Sequence, residues 1–165
     1  MSSVTLKDAQ FRKLSEFIET EVGIKMPPAK RIMLESRLQK RLRALGLSTF
    51  DDYIAHVFEH DGGEIIHMID VVTTNKTDFF READHFVYLR EHVLPDGLDQ
   101  GWGESRPLRV WSAASSTGEE AYTLGIVLSE FRRDNPRFDF RILGTDISTA
   151  VLATAKNGVY PAHRL

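Results

Sequence analysis

The stretch "VWSAASSTGEEAYTLGIVL", Val110 to Leu128, begins like a buried strand, loosens into the smallest residues and resumes as an amphipathic helix. Glu119 and Glu120 stand in the first turn of that helix. A strand, a tight turn and a helix N-terminus together make a ligand cradle, and helix N-termini favour anions. Two carboxylates here either complement the helix dipole, worth about 0.3–1 kcal/mol each, or face a cation.

Around this unit the pattern repeats. "LRVWSA" reads as the strand before the turn, "FDFRILGTDIS" as a second strand, and Ser148 caps a last helix through Val151, Leu152 and Ala155. The order β-α-β-α is the opening of a parallel doubly wound sheet. Such a sheet needs cover on both faces and usually four or more strands. The chain is therefore expected to stop in mid-fold at "NGVYPAHRL" and to be part of a longer protein. Pairing of the second strand's open edge in a homodimer is one way to extend the sheet.

The preceding residues carry a different period. Leu6, Phe11, Leu14, Phe17, Ile18 and Val22 follow helical spacing up to Gly23. Pro28 opens "PAKRIMLESRLQKRLRALG", with Leu34, Leu38, Leu42 and Leu45 as its buried stripe and Gly46 as its stop. Ser48 is expected to cap a helix through Tyr53, Ile54, Val57 and Phe58, closed by "HDGG". A short helix at 64–72 and another at about 78–93 follow. "LPDGLDQGWGESRP", rich in Gly and Pro, reads as a linker. The expected organisation is an all-helical domain at 1–93, a linker at 94–107 and an α/β domain at 108–165.

Composition narrows the function. The 165 residues are 42% apolar, enough for a core, and carry 21 basic against 24 acidic side chains, so net charge argues for neither nucleic acid nor membrane. No cysteine is present, which excludes disulfides, thiolate nucleophiles and sulfur-ligated zinc. No apolar run approaches the roughly 20 residues that span a bilayer, and the start lacks a leader pattern, so the expectation is a cytoplasmic chain without membrane insertion.

In the turn, Ala113, Ser115 and Gly118 occupy the three positions of a G-x-G-x-x-G pattern, small enough for a ligand to approach the backbone. No Gly-Lys-Ser/Thr follows, which disfavours a P-loop. Glu119 would repel a pyrophosphate, whereas an ammonium would suit it. Asp146, at the end of the second strand, stands where doubly wound nucleoside-binding folds place an acid for the ribose hydroxyls. The alternative for Asp146 is a cap on the turn before Ser148. A ligand with both a ribose and an α-ammonium is S-adenosylmethionine.

Two motifs, "TTNKTDFFRE" at Thr73 to Glu82 and "WSAASSTGEEAYTLG" at Trp111 to Gly125, resemble those of the chemotaxis receptor methyltransferases (CheR). "GTDIS" and Ala155-x-x-Gly158-x-Tyr160 extend the resemblance over nearly the whole chain. It implies a helical N-terminal domain joined to a Rossmann-like class I methyltransferase domain. It also implies S-adenosylmethionine as methyl donor, S-adenosylhomocysteine as product, and glutamate side chains of chemotaxis receptors as substrate. Cofactor contacts would fall on Asn75, Thr77, Arg81, Glu119 and Asp146. Ala121 replaces the proline more usual after the two glutamates, and the family continues through further strands.

Capping by Thr77 or Asp78 and burial of Phe79 and Phe80 account for much of the first motif without a ligand. They leave Arg81 without a role, and a guanidinium beside the cofactor or a substrate carboxylate would supply one, making Arg81 the candidate catalytic residue. The second helix carries Lys30, Arg31, Arg37, Lys40, Arg41 and Arg43 against a single acid, Glu35. Lys30, Arg37 and Arg41 share one face. That face is either solvated or, with Lys40, docks acidic receptor helices, as the family implies. Nucleic-acid binding is the rival reading, disfavoured by the acidic balance and the lack of interleaved aromatics. A non-catalytic receptor-binding or cofactor-binding module is the alternative to an active enzyme. His56 and His60, four apart on one helix, lack a third convergent ligand, so no metal site is expected; Tyr160 receives no role.

Overall fold

A computed structural model of the chain describes residues 4–59 and 63–164. It divides into two compact units, 1–74 and 75–165.

The first unit is helical: α1 (Asp8–Val22), α2 (Arg31–Leu45) after a short turn at Pro28–Lys30, α3 (Phe50–Glu59) and α4 (Gly63–Val72). Gly23 and Gly46 end α1 and α2 in the left-handed conformation, with φ of 70° and 68°, which only glycine adopts cheaply. The cap of α3 is Thr49, one residue beyond the expected Ser48. Its Oγ1 accepts from the Asp52 N–H at 3.1 Å and donates to the Asp52 carboxylate at 2.7 Å. The expected "HDGG" stop and His60 lie mostly outside the described residues.

Leu14, Ile18, Leu34, Leu38, Leu42, Phe50, Tyr53, Met68 and Val72 form this unit's core. The leucine stripe of α2 thus faces inward, and two of its arginines turn with it. Arg41 grips the buried Glu64 of α4 through Nε–Oε1 at 2.8 Å and Nη2–Oε2 at 2.7 Å, while the Tyr53 hydroxyl donates to the same carboxylate at 3.0 Å. Burial alone pushes the Glu64 carboxyl up, but the hydrogen bonds from Arg41 and Tyr53 outweigh it and leave it below the usual range. Arg37 donates to the carbonyls of Val72 and Thr73 and to Thr74 Oγ1, closing the C-terminus of α4. Of the expected docking face, Arg37 and Arg41 are part-buried with structural partners, and Lys30 and Lys40 are exposed.

The second unit contains α5 (Ala83–Tyr88), a wide helical turn (Leu89–Val93), α6 (Leu94–Asp99), β1 (Leu108–Ala113), α7 (Glu119–Asp134), β2 (Phe140–Thr145) and α8 (Thr149–Asn157). Residues 75–107, read from the sequence as the end of the helical domain plus a linker, fold with this unit. Leu94 is buried against Leu128, Phe131 and Phe138, with Leu98 packed beside it. The segment therefore belongs to a core despite its Gly and Pro content. Helix α5 starts later than expected because Phe80 and Glu82 adopt left-handed φ values of 52° and 56°. The helical path then runs through "LP". In a regular α-helix the Pro95 ring would crowd the carbonyl four residues back, and the wide turn before it, where the Leu94 N–H donates to the Leu89 carbonyl, relieves this.

β1 and β2 are parallel, with Val110 opposite Ile142, Trp111 opposite Leu143 and Ala113 opposite Thr145. Val110 and Ile142 pack against the core that α7 helps to form. Trp111 and Leu143 point to the other face, 68% and 62% exposed. Ser148 caps α8 by accepting from the Val151 N–H at 3.4 Å. Among the described residues no helix is long and apolar enough to cross a membrane, and no three His, Asp or Glu residues gather as a metal site.

Candidate functional site

The turn from β1 into α7 is held from three sides. Ala114 and Ser116 adopt left-handed φ values of 58° and 51°, and Gly118, the helix cap, reaches 99°. Such conformations cost about 1–3 kcal/mol for non-glycine residues and persist only where their surroundings impose them. Here the Ser115 N–H donates to the Thr145 carbonyl at 2.9 Å, and the Ser116 N–H to Asp146 Oδ2 at 2.8 Å. The Ser116 hydroxyl donates to the Asn75 carbonyl at 3.0 Å, and the Tyr160 hydroxyl to the Thr117 carbonyl at 2.6 Å.

Of the three small residues expected to admit a ligand, Ala113 is exposed at the end of β1, while Ser115 and Gly118 are buried. A Cβ at Gly144 would lie 3.0 Å from Ser115 Oγ, so Ser115 fills the approach between turn and β2. A Cβ at Gly118 would lie 2.8 Å from the Tyr160 hydroxyl and 2.9 Å from Ala155 Cβ. Both positions lie close to neighbouring protein atoms, and both, with Gly144 and Ala155, line a further cleft of about 570 Å³.

Glu119 is the deepest charge of the site, its side chain 2% exposed. Oε2 accepts from the Thr117 hydroxyl at 2.5 Å, and Oε1 accepts from Arg164 Nη2. The same Nη2 donates to the Thr77 carbonyl at 2.9 Å, and Nη1 pairs with Asp78 Oδ1 at 3.4 Å. The carboxylate that the sequence leaves in search of a cation has one from its own chain. Glu120 differs: it is exposed and accepts from the Ser112 hydroxyl at 2.7 Å.

Asp146 spans two chain segments, Oδ2 on the Ser116 N–H and Oδ1 on the Ser148 N–H at 2.9 Å. The turn-capping role is thus present. Each oxygen has a second lone pair, and the residue is half exposed, so ribose hydroxyls can share the carboxylate.

A cleft of about 530 Å³ gathers Asn75, Thr77, Glu119, Tyr160 and Arg164. A neighbouring one of about 450 Å³ gathers Thr77, Arg81, Ala114 and Glu120, so Thr77 borders both. Arg81 is exposed, and its Nη1 donates to the Lys76 carbonyl at 3.0 Å, back along its own loop. Asp146 lines neither cleft. A further cleft, about 720 Å³, lies at the opposite end of the strands beside Trp102, Arg109 and Arg141 and contains none of the expected residues.

The part that Tyr160 and Arg164 play in the site was not assigned from the sequence. Tyr160 packs edge-on against Phe79 and Tyr122, with ring centroids 5.0 and 5.6 Å away. Burial, then the negative charge of Glu119, push its hydroxyl up to about 12. The A-x-x-G-x-Y pattern pointed to Tyr160; nothing in the spacing pointed to Arg164, 45 residues from its carboxylate partner.

Comparison with known proteins adds an independent line. Residues 9–73 match the family model described as CheR methyltransferase, all-alpha domain, and residues 75–165 match CheR methyltransferase, SAM binding domain. A chemotaxis protein methyltransferase of Borreliella burgdorferi is 34% identical over 166 residues, covering 99% of this chain and 59% of that protein. That of Escherichia coli K12 is 39% identical over 158 residues, covering 95% and 52%. Chemotaxis protein methyltransferase 2 of Pseudomonas aeruginosa is 40% identical over 157 residues, covering 94% and 53%. The chain spans a little over half the length of these relatives.

Proposed function

The chain belongs to the CheR methyltransferase family, and we propose that its 75–165 unit binds S-adenosylmethionine for methyl transfer to glutamate side chains of chemotaxis receptors. The observation that carries the proposal is the buried Glu119 carboxylate at the start of α7, engaged by a cation and bordered by Asn75 and Thr77. An α-ammonium satisfies the same carboxylate as a guanidinium does. Asp146 has lone pairs for ribose hydroxyls, and its two backbone donors hold it in place.

The chemistry asks little of the protein. S-adenosylmethionine, when bound, supplies an electrophilic methyl group on a sulfonium. A receptor glutamate has an ordinary pKa of about 4.3, so it arrives as a carboxylate and needs no general base. The residues of this chain then have positioning to do. Glu119 fixes the amine end, Asp146 the ribose, and Arg81, at the exposed rim of the adjoining cleft, orients the incoming carboxylate. Lys30 and Lys40 are exposed basic side chains available to acidic receptor helices.

The test is calorimetric titration of the 165-residue chain with S-adenosylhomocysteine, repeated on Glu119→Ala and Asp146→Ala. Binding that weakens in both variants supports the reading and calls for methylation of a receptor peptide as the next assay. Absence of binding, with the helices intact by circular dichroism, overturns cofactor binding by this chain.

A further inference from the structure

Arg164 reaches Glu119 from an anchored segment. Tyr160 is tied to the Thr117 carbonyl and packed between Phe79 and Tyr122, Pro161 follows, and a short helical turn at Ala162–Arg164 directs the guanidinium inward. The guanidinium makes three contacts: the Thr77 carbonyl, the Asp78 carboxylate at the rim and the buried Glu119 carboxylate.

A buried carboxylate without a counter-charge is costly, and Arg164 supplies the charge that balances Glu119. Oε2 accepts from the Thr117 hydroxyl and Oε1 from Arg164, so the cation now in the site sits on Oε1. An ammonium arriving at either oxygen stands close to the guanidinium, and like charges repel strongly in a low-dielectric site. Arg164 can give up Glu119 and retain Asp78 and the Thr77 carbonyl, so it can yield without losing every partner.

We propose that Arg164 is the exchangeable counter-ion of Glu119, occupying the cation subsite until an amine-bearing ligand replaces it and so setting the site's selectivity for ligands with a free ammonium. The inference rests on the cofactor reading above and adds to it a residue that opposes binding. Part of the ligand's affinity is spent in displacing Arg164, as for any site whose competent state is only partly populated.

The test compares two ligands on three chains. S-adenosylhomocysteine carries the ammonium; 5′-methylthioadenosine shares the nucleoside but lacks the amino-acid end. In Arg164→Gln, S-adenosylhomocysteine is expected to bind about tenfold more tightly than to the unmodified chain, while 5′-methylthioadenosine is unchanged. Arg164→Lys, which keeps the charge, is expected to restore the weaker binding. In the unmodified chain, the Arg164 guanidinium NMR signal should move with S-adenosylhomocysteine and stay in place with 5′-methylthioadenosine, a readout that needs no variant to fold.

Equal or weaker S-adenosylhomocysteine binding in Arg164→Gln, with binding still weakened in the separate Glu119→Ala variant, overturns the role of Arg164 and leaves the cofactor reading standing. An Arg164 signal that stays in place when S-adenosylhomocysteine binds does the same. No binding to any of the chains, all folded, overturns both.

Discussion

Arg41 and Glu64 meet through two parallel hydrogen bonds of 2.8 and 2.7 Å between α2 and α4, with the Glu64 side chain only 5% exposed. Removing one partner of such a pair leaves the other charge buried, and the loss is about 3–5 kcal/mol. Arg41→Ala should lower unfolding free energy by about 3 kcal/mol, at the lower end because Tyr53 still donates to Glu64. Replacing both residues together with apolar side chains should cost far less. Urea titration of the single and double variants checks both outcomes.

The same pair makes acid stability predictable. The Glu64 carboxyl titrates below its ordinary range in the folded chain, so its contribution is complete above about pH 4.3 and is lost as pH falls through the lowered value. The difference in melting temperature between the unmodified chain and Glu64→Gln should be full at neutral pH and shrink below about pH 4. Thermal melts across that range measure it.

At the alkaline end, Tyr160 behaves in the opposite sense. Its hydroxyl is raised to about 12, so its contribution holds below about pH 10 and disappears as pH rises towards the folded value. Difference absorbance between the unmodified chain and Tyr160→Phe should show a phenolate appearing near 12 and none near the ordinary value.

Gly118→Ala should destabilise the second unit by about 3 kcal/mol, combining a left-handed backbone with the added Cβ 2.8–2.9 Å from Tyr160 and Ala155. The shift in denaturant midpoint, followed by Trp111 fluorescence, reports it.

Arg37→Ala should cost about 1–3 kcal/mol by releasing the carbonyls at the end of α4, and amide exchange near Thr73 should quicken. Lys40→Glu should leave stability within about 0.5 kcal/mol and, on the docking reading proposed above, weaken receptor-peptide binding. Chemical denaturation and receptor-peptide binding separate the two.

Three helix ends in the first unit were legible because glycine and proline enforce them by their backbone alone, at Gly23, Pro28 and Gly46. The strand, turn and helix at Val110–Leu128 were legible because the period of apolar residues changes there. Ser48 and Thr49 offer adjacent hydroxyls of equal capping power, and only the backbone path selects Thr49. Phe80 and Glu82 carry no sign of a left-handed backbone in their chemistry. The Gly- and Pro-rich stretch at 94–107 looked like a linker because composition outweighed Leu94 and Leu98, whose apolar partners lie far along the chain. Arg37 and Arg41 read as surface charges for the same reason: their partners are 23 to 37 residues away. In the candidate site, residue types revealed the need for a cation at Glu119, whereas the identity of the one present depends on a fold that brings residue 164 back to residue 119.

The wide turn at Leu89–Val93 holds one residue more than an α-helical turn would. Deleting a residue there would remove the wide turn, bring back the crowding at Pro95 and rotate α5 by about 100° relative to Leu94. Leu89, which packs towards the Leu94 cluster, would then swing out to solvent. The length of this short segment, rather than its composition, keeps the two halves of the helix in phase, so single-residue insertions and deletions should be tolerated less here than substitutions.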